Sequence, residues 1–152
     1  MAEIEGAIKD KIETALTLIK SCEYQKAIDF LLDIIDFFVE VGDFEERDKF
    51  LLKITECFRF LAMQYRDKQD YFEAAETFIS AAFLQKQHDK NKKAHQLFNE
   101  AIDCFAYASE NAISKNFYKE ASILYCSAAK YAKDELCNKS KSKNFYQNAI
   151  DA

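Results

Sequence analysis

Proline is absent from the 152 residues, tryptophan is absent too, and glycine occurs only at Gly6 and Gly42. β-Hairpins and phosphate-cradling loops lean on glycine and proline, so their scarcity points to long helices joined by short links. Histidine is confined to His88 and His95, and no G-x-x-x-x-G-K, G-x-G-x-x-G, H-E-x-x-H or G-x-S-x-G stretch occurs. The start, Met1-Ala2-Glu3-Ile4-Glu5, has neither the basic region nor the apolar run of a signal peptide. Five cysteines, an odd number without a C-x-x-C pair, fit free thiols in a reducing cytoplasm, so the expected location is cytoplasmic. No enzyme activity, cofactor or metal is expected. His88 and His95 would share a face only on a continuous helix, and lysines crowd them.

What the chain does have is apolar helix. The stretch 26–41, "KAIDFLLDIIDFFVEV", is apolar at about eleven of sixteen positions yet carries Asp29, Asp33, Asp36 and Glu40. At about 100° per residue those four fall in a stripe roughly 60° wide, with apolar side chains around the rest of the helix. A bilayer span needs about 20 mostly apolar residues and does not carry aspartates at its centre. The pattern is that of a helix with neighbours on two or three sides. The acidic line is either solvated or a dock for a basic helix.

The sequence repeats against itself at 47 residues. Ala27, Ala74 and Ala121 align, preceded by Tyr24, Tyr71 and Tyr118 and followed by Leu31, Phe78 and Tyr125. Cys57 aligns with Cys104, Phe58 with Phe105, Phe60 with Tyr107, and Phe98 with Phe145. The expected organisation is one helical-repeat domain over 1–152, with repeats near 1–43, 44–90 and 91–137. A capping or truncated helix follows at 141–152. The helices are expected near 2–20, 23–41, 45–66, 70–87, 91–113, 116–136 and 141–152. Polar links of a few residues make consecutive helices antiparallel. Cys57, Cys104 and Cys126 are expected on apolar core faces, and Cys22 and Cys137 in links.

The middle unit runs Phe58-x2-Leu61-Ala62-x2-Tyr65 and then Ala74-x3-Phe78-x2-Ala81. This resembles the tetratricopeptide repeat. The longer period, the lack of a closing proline and second helices such as "AAETFISAAF" are similar to the soluble NSF attachment protein (SNAP-like) branch. The resemblance implies an all-α, right-handed α-solenoid of antiparallel helical hairpins, about seven helices in all. It implies a protein-interaction adaptor that holds a helical or extended protein segment, SNAP-like in complex remodelling or vesicle trafficking. The partners implied are a coiled-coil membrane protein and an AAA-type ring ATPase.

By that resemblance the first helix of each hairpin lines a groove, and the groove candidates are Lys9, Lys20, Glu56, Arg59, Met63, Arg66, Asp103 and Glu110, with Ile12 and Leu16 beside them. The family's carboxylate clamp places hold Ile12, Leu16, Arg59, Met63, Ala106 and Glu110, which disfavours capture of a peptide carboxylate. Arg59 and Arg66 around Met63 form the sharpest candidate, because Arg and Met favour interfaces.

Charge is uneven. Residues 1–80 hold 18 acidic and 10 basic side chains, a net of −8, and residues 81–152 hold 8 and 11, a net of +3. The C-terminal lysines (Lys115, Lys119, Lys130, Lys133, Lys139, Lys141, Lys143) are candidates for contact with an anionic membrane or an acidic partner. Without interleaved aromatics they do not suit nucleic acid, and none is expected. The alternative to an adaptor is a self-assembling structural helical-repeat protein, a homo-oligomer that uses this polarity.

Overall fold

The computed structural model describes the backbone of residues 2–152 and the side chains of residues 5–152; Met1 and the side chains of residues 2–4, read above for a leader, lie outside the described residues. Among the described residues there are seven helices and no strand: α1 (Ala2–Lys20), α2 (Tyr24–Glu40), α3 (Phe44–Asp67), α4 (Tyr71–Gln87), α5 (Asn91–Ser114), α6 (Tyr118–Asp134) and α7 (Lys139–Asp151). Every boundary lies within two residues of its sequence expectation. No helix is long and apolar enough to cross a membrane among the described residues. The chain falls into two compact units, Met1–Leu61 and Ala62–Ala152, with the division inside α3.

In the first unit α1 packs on α2, and α2 runs antiparallel to α3. Tyr24 at the start of α2 stacks on Phe60 at 5.3 Å, and Phe38 near its end stacks on Phe50 at 5.6 Å. Ala27, Ile28, Leu31, Ile34 and Ile35 of α2 are buried, while Asp29, Asp33, Asp36 and Glu40 are exposed, which is the neighboured helix expected from its sequence. Lys11 Nζ reaches Asp33 Oδ2 at 3.3 Å and ties α1 to that acidic line.

In the second unit α4, α5, α6 and α7 pack each on the next. Ring contacts Tyr71–Tyr107 and Phe83–Phe98 set α4 antiparallel to α5, and Tyr131 of α6 stacks on both Phe98 and Phe105. Ala74, Ala81 and Ala82 of α4 and Ala121, Ala128 and Ala129 of α6 are all buried. Side chains that stop at Cβ let helix axes approach closely, and Phe78 and Tyr125 then fill the space between them.

A chain almost without glycine still has to reverse direction six times. Five links are three residues long, and the middle residue of each is left-handed: Cys22 (φ 59°), Gly42 (75°), Gln69 (63°), Asp89 (60°) and Asn116 (64°). The following residue donates its N–H to the carbonyl five residues back: Glu23 to Leu18, Asp43 to Phe38, Asp70 to Tyr65, Lys90 to Gln85 and Phe117 to Ala112, all at 2.8–2.9 Å. The left-handed residue donates three back, so the closing carbonyls of each helix are satisfied. Cys22, Gln69 and Asn116 lie 47 apart, as do Gly42 and Asp89, so the repeat is present in the backbone as well as in the side chains.

The sixth link has four residues, with Cys137 left-handed and the Asn138 N–H reaching the Ala132 carbonyl at 2.9 Å. The added residue carries α7 forward by one position. Phe145 therefore takes the place of Leu97, not of Phe98 as the 47-residue register had it. Ser142 and Ala149, buried like Ala94 and Ala101, follow the same shift of 48.

The two glycines should respond oppositely to alanine. A Cβ at either meets nothing within 4 Å. Gly6 lies inside α1, where Gly→Ala gains about 0.5–1 kcal/mol. Gly42 sits at φ +75°, where a side chain costs about 1 kcal/mol. Urea unfolding should show Gly6→Ala more stable and Gly42→Ala less stable than the parent; equal shifts of one sign would contradict this account of the links.

Candidate partner-binding site

Because the left-handed residue, the cap residue and an aromatic follow in order, α2, α4 and α6 each begin with a tyrosine: Tyr24, Tyr71 and Tyr118. In the first unit Tyr24 meets Phe60, as described. In the second, Tyr71 and Tyr107 lie 5.9 Å apart, ring to ring, in the same 47-residue register. Both outer rings, Phe60 and Tyr107, stay about half exposed. Arg66, in the last turn of α3, places its guanidinium 6.0 Å from the Tyr107 ring centre. An open cleft of about 380 Å³ lies beside this group, lined by Met63, Arg66, Asp67 and Tyr71.

Of the eight groove candidates, Lys9, Lys20, Glu56 and Arg59 belong to the first unit and Met63, Arg66, Asp103 and Glu110 to the second. Met63 and Arg66 line the cleft together. Asp103 and Glu110 are exposed on α5, four residues before and three after Tyr107, and so share its face. Lys141 Nζ stands 4.0 Å from Asp103. Lys9, Lys20 and Glu56 are exposed on α1 and α3, and Arg59 is half-buried.

Sequence reasoning did not place Tyr71, Tyr107 or Asp67 among the site residues. The alignment of Tyr24 with Tyr71 and of Phe60 with Tyr107 carried the signal, since a residue pair repeated at one period marks a contact. A second cleft of about 260 Å³ lies behind Tyr71, where Phe72, Lys115, Phe117 and Leu124 are among its lining.

The thiols divide by burial. Cys57 and Cys104 are buried, and burial pushes each up to about 11; Glu56 adds to the rise at Cys57, whereas Arg66 opposes it at Cys104. Cys126 corrects an expectation: it is exposed, because Ala121, Tyr125, Ala128, Ala129 and Ala132 define the buried face of α6 and position 126 turns away from it. His88 is the C-terminal cap residue of α4 and His95 lies on α5 beyond the left-handed Asp89, so no continuous helix aligns them. Among the described residues no cluster of three His, Cys, Asp or Glu side chains could hold a metal ion.

No protein-family model matches the chain, and no curated protein matches it. Solved structures do match. One is the crystal structure of BtubC (BKLC) from P. vanneervenii, 12% identical, covering 95% of this chain and 90% of that one at a TM-score of 0.23. Superposition that poor carries no argument about this chain.

A chromogenic disulfide reagent at pH 8 should release a burst from Cys22, Cys126 and Cys137 and none from Cys57 and Cys104 until denaturant is added. A burst from all five would contradict the burial. The two buried thiols hold their protons more tightly folded than unfolded. Their contribution to stability is therefore complete below the unfolded thiol range and is lost as pH rises toward about 11.

Proposed function

We propose that this chain is a non-enzymatic protein-interaction adaptor that holds a helical or extended segment of a partner against the Arg66–Tyr71–Tyr107 surface. The observation that carries the reading is the convergence of Met63, Arg66 and Tyr71 at one open cleft, with the Tyr107 ring against both Arg66 and Tyr71. Tyrosine and arginine dominate binding hot spots because they offer large contact area with a polar end. Helix-borne side chains also lose little freedom on binding. Asp67, Asp103 and Glu110 surround the cluster and favour a partner with basic flanks.

The sharper form is a SNAP-like role in complex remodelling, with a coiled-coil membrane protein and an AAA-type ATPase as partners. It rests on the resemblance of the repeats alone. A cytoplasmic setting belongs to the same reading, as does peripheral contact of the C-terminal lysines with an anionic membrane.

The test is an affinity pull-down from native lysate at physiological salt, comparing the parent with Arg66→Glu and Tyr107→Ala. Losing a hot-spot side chain costs about 2 kcal/mol, roughly thirtyfold in affinity. Both variants should lose the recovered partner while keeping the parent's melting temperature, and Arg59→Glu should report separately on the first unit. Undiminished recovery with both second-unit variants would remove this surface from the reading. A coiled-coil membrane protein recovered together with a ring ATPase would support the SNAP-like form.

A further inference from the structure

Helix α7 keeps an apolar face that its counterpart α5 buries. With the shift of 48 residues, Tyr146 and Ile150 occupy the places of Phe98 and Ile102. Phe98 and Ile102 are 1% and 0% exposed, and Phe98 is held between Phe83 of α4 and Tyr131 of α6. Tyr146 and Ile150 are 42% and 78% exposed. Part of the reason is that α6 carries the exposed Lys130 where α4 carries Phe83. Lys139 and Lys143 are exposed on the same helix, and 139, 143, 146 and 150 fall within about 60° around its axis. One stripe of α7 is therefore cationic in its first half and apolar in its second.

The first unit offers the complement. Of the described α1 side chains only Ala15 is buried. A cleft of about 410 Å³ lies along this helix, lined by Asp10, Glu13, Thr14, Thr17 and Leu18. Thr14 and Thr17 donate their hydroxyls to the carbonyls of Asp10 and Glu13 at 2.9 Å, so their polar groups are satisfied within the helix. At Gly6 there is open space where a side chain would stand. This stripe is acidic in its middle and apolar toward its C-terminal end. The ends of the chain are opposite in sign: residues 1–43 hold ten acidic and four basic side chains (net −6), and residues 115–152 hold four and seven (net +3).

We propose that copies of this chain associate head to tail, with α7 of one copy lying parallel to α1 of the next. Lys139 and Lys143 then face Asp10 and Glu13 while Tyr146 and Ile150 lie over Thr17 and Leu18. The parallel direction follows from the charges, because the antiparallel one sets Ile150 against Asp10 and the lysines against Leu18. The contact joins unlike faces, α7 of one copy to α1 of another, so every copy carries both halves of the interface. A single contact over the 13 residues of α7 falls short of the roughly 800 Å² per partner of a stable interface, so association is reversible and rises with concentration.

Sedimentation velocity on the full 152-residue chain tests this directly. At low salt the weight-average mass should climb with concentration to about twice the 17.6 kDa monomer or beyond, and high salt should return it to the monomer. Lys139→Glu/Lys143→Glu and Asp10→Lys/Glu13→Lys should each stay monomeric alone, since like charges then meet. Mixed one to one they should associate again, because each α7 finds an α1 of opposite sign. All four positions are exposed, and circular dichroism checks that the variants fold. A parent that stays monomeric at every concentration and salt overturns the proposal. So do variants that associate as the parent does, and a mixture that fails to recover association.

Discussion

The left-handed residue in each link is the constraint on which the other features of this structure depend. A helix that stops leaves four carbonyls without partners, and a link of three residues has no slack to find them elsewhere. Turning one residue to positive φ lets its own N–H and the next one fold back onto the helix just ended, and it aims the following helix antiparallel. Glycine would do this without strain, yet only Gly42 does so here, and the other positions accept about 1–2 kcal/mol of backbone cost each. Closure of the helix end and burial of the alanine-lined faces beyond it offset that cost. Without those faces a short helix gains too little to hold such a turn.

The placement of the candidate site follows from the same turn. Two residues after each left-handed position the chain enters the next helix, and at Tyr24 and Tyr71 the ring placed there meets a ring of the neighbouring helix. With Tyr71 in that place the ring lands on Tyr107, and the last turn of α3 brings Arg66 to the same ring. The cleft beside them is a by-product of hairpin geometry, lined by Met63, Arg66, Asp67 and Tyr71. Tyr118 occupies the equivalent place at the start of α6, donates its hydroxyl to Asn116 Oδ1 at 2.8 Å and stays half exposed.

Most of the architecture was legible because burial in repeated hairpins follows helical periodicity, and the alanines at 27, 74 and 121 mark the same buried position three times. The links were legible in length but not in conformation. Cys22, Gln69 and Cys137 carry no signal for positive φ; only the fold-back hydrogen bonds show why they take it. One inserted residue in the last link moved α7 by a position, and an alignment on side-chain types that allowed no gap paired Phe98 with Phe145. Cys126 was misplaced for a related reason: a thiol reads as apolar wherever it stands, and its neighbours' register decides its side. The tyrosine–arginine group was only half legible. Met63 and Arg66 stand close in sequence, whereas Tyr107 comes from a different helix and joins them only through the packing of α4 on α5.

The composition of α7 shows how a repeat array manages a helix with fewer neighbours. Terminal repeats usually turn polar on the outside to remain soluble. Relative to α5, Ala94 becomes Ser142 and Phe98 becomes Tyr146, and lysine, asparagine and glutamine fill much of the rest. Those changes suit a cap. Ile150 does not: it is more exposed than any other large apolar side chain among the described residues. A polar side chain there would cost the fold nothing, because position 150 buries little against α6. The exposed stripe of α7 is therefore mixed, with Lys139 and Lys143 in its first half and Tyr146 and Ile150 in its second. An apolar side chain that buries little against α6 still shares a helical face with the lysines.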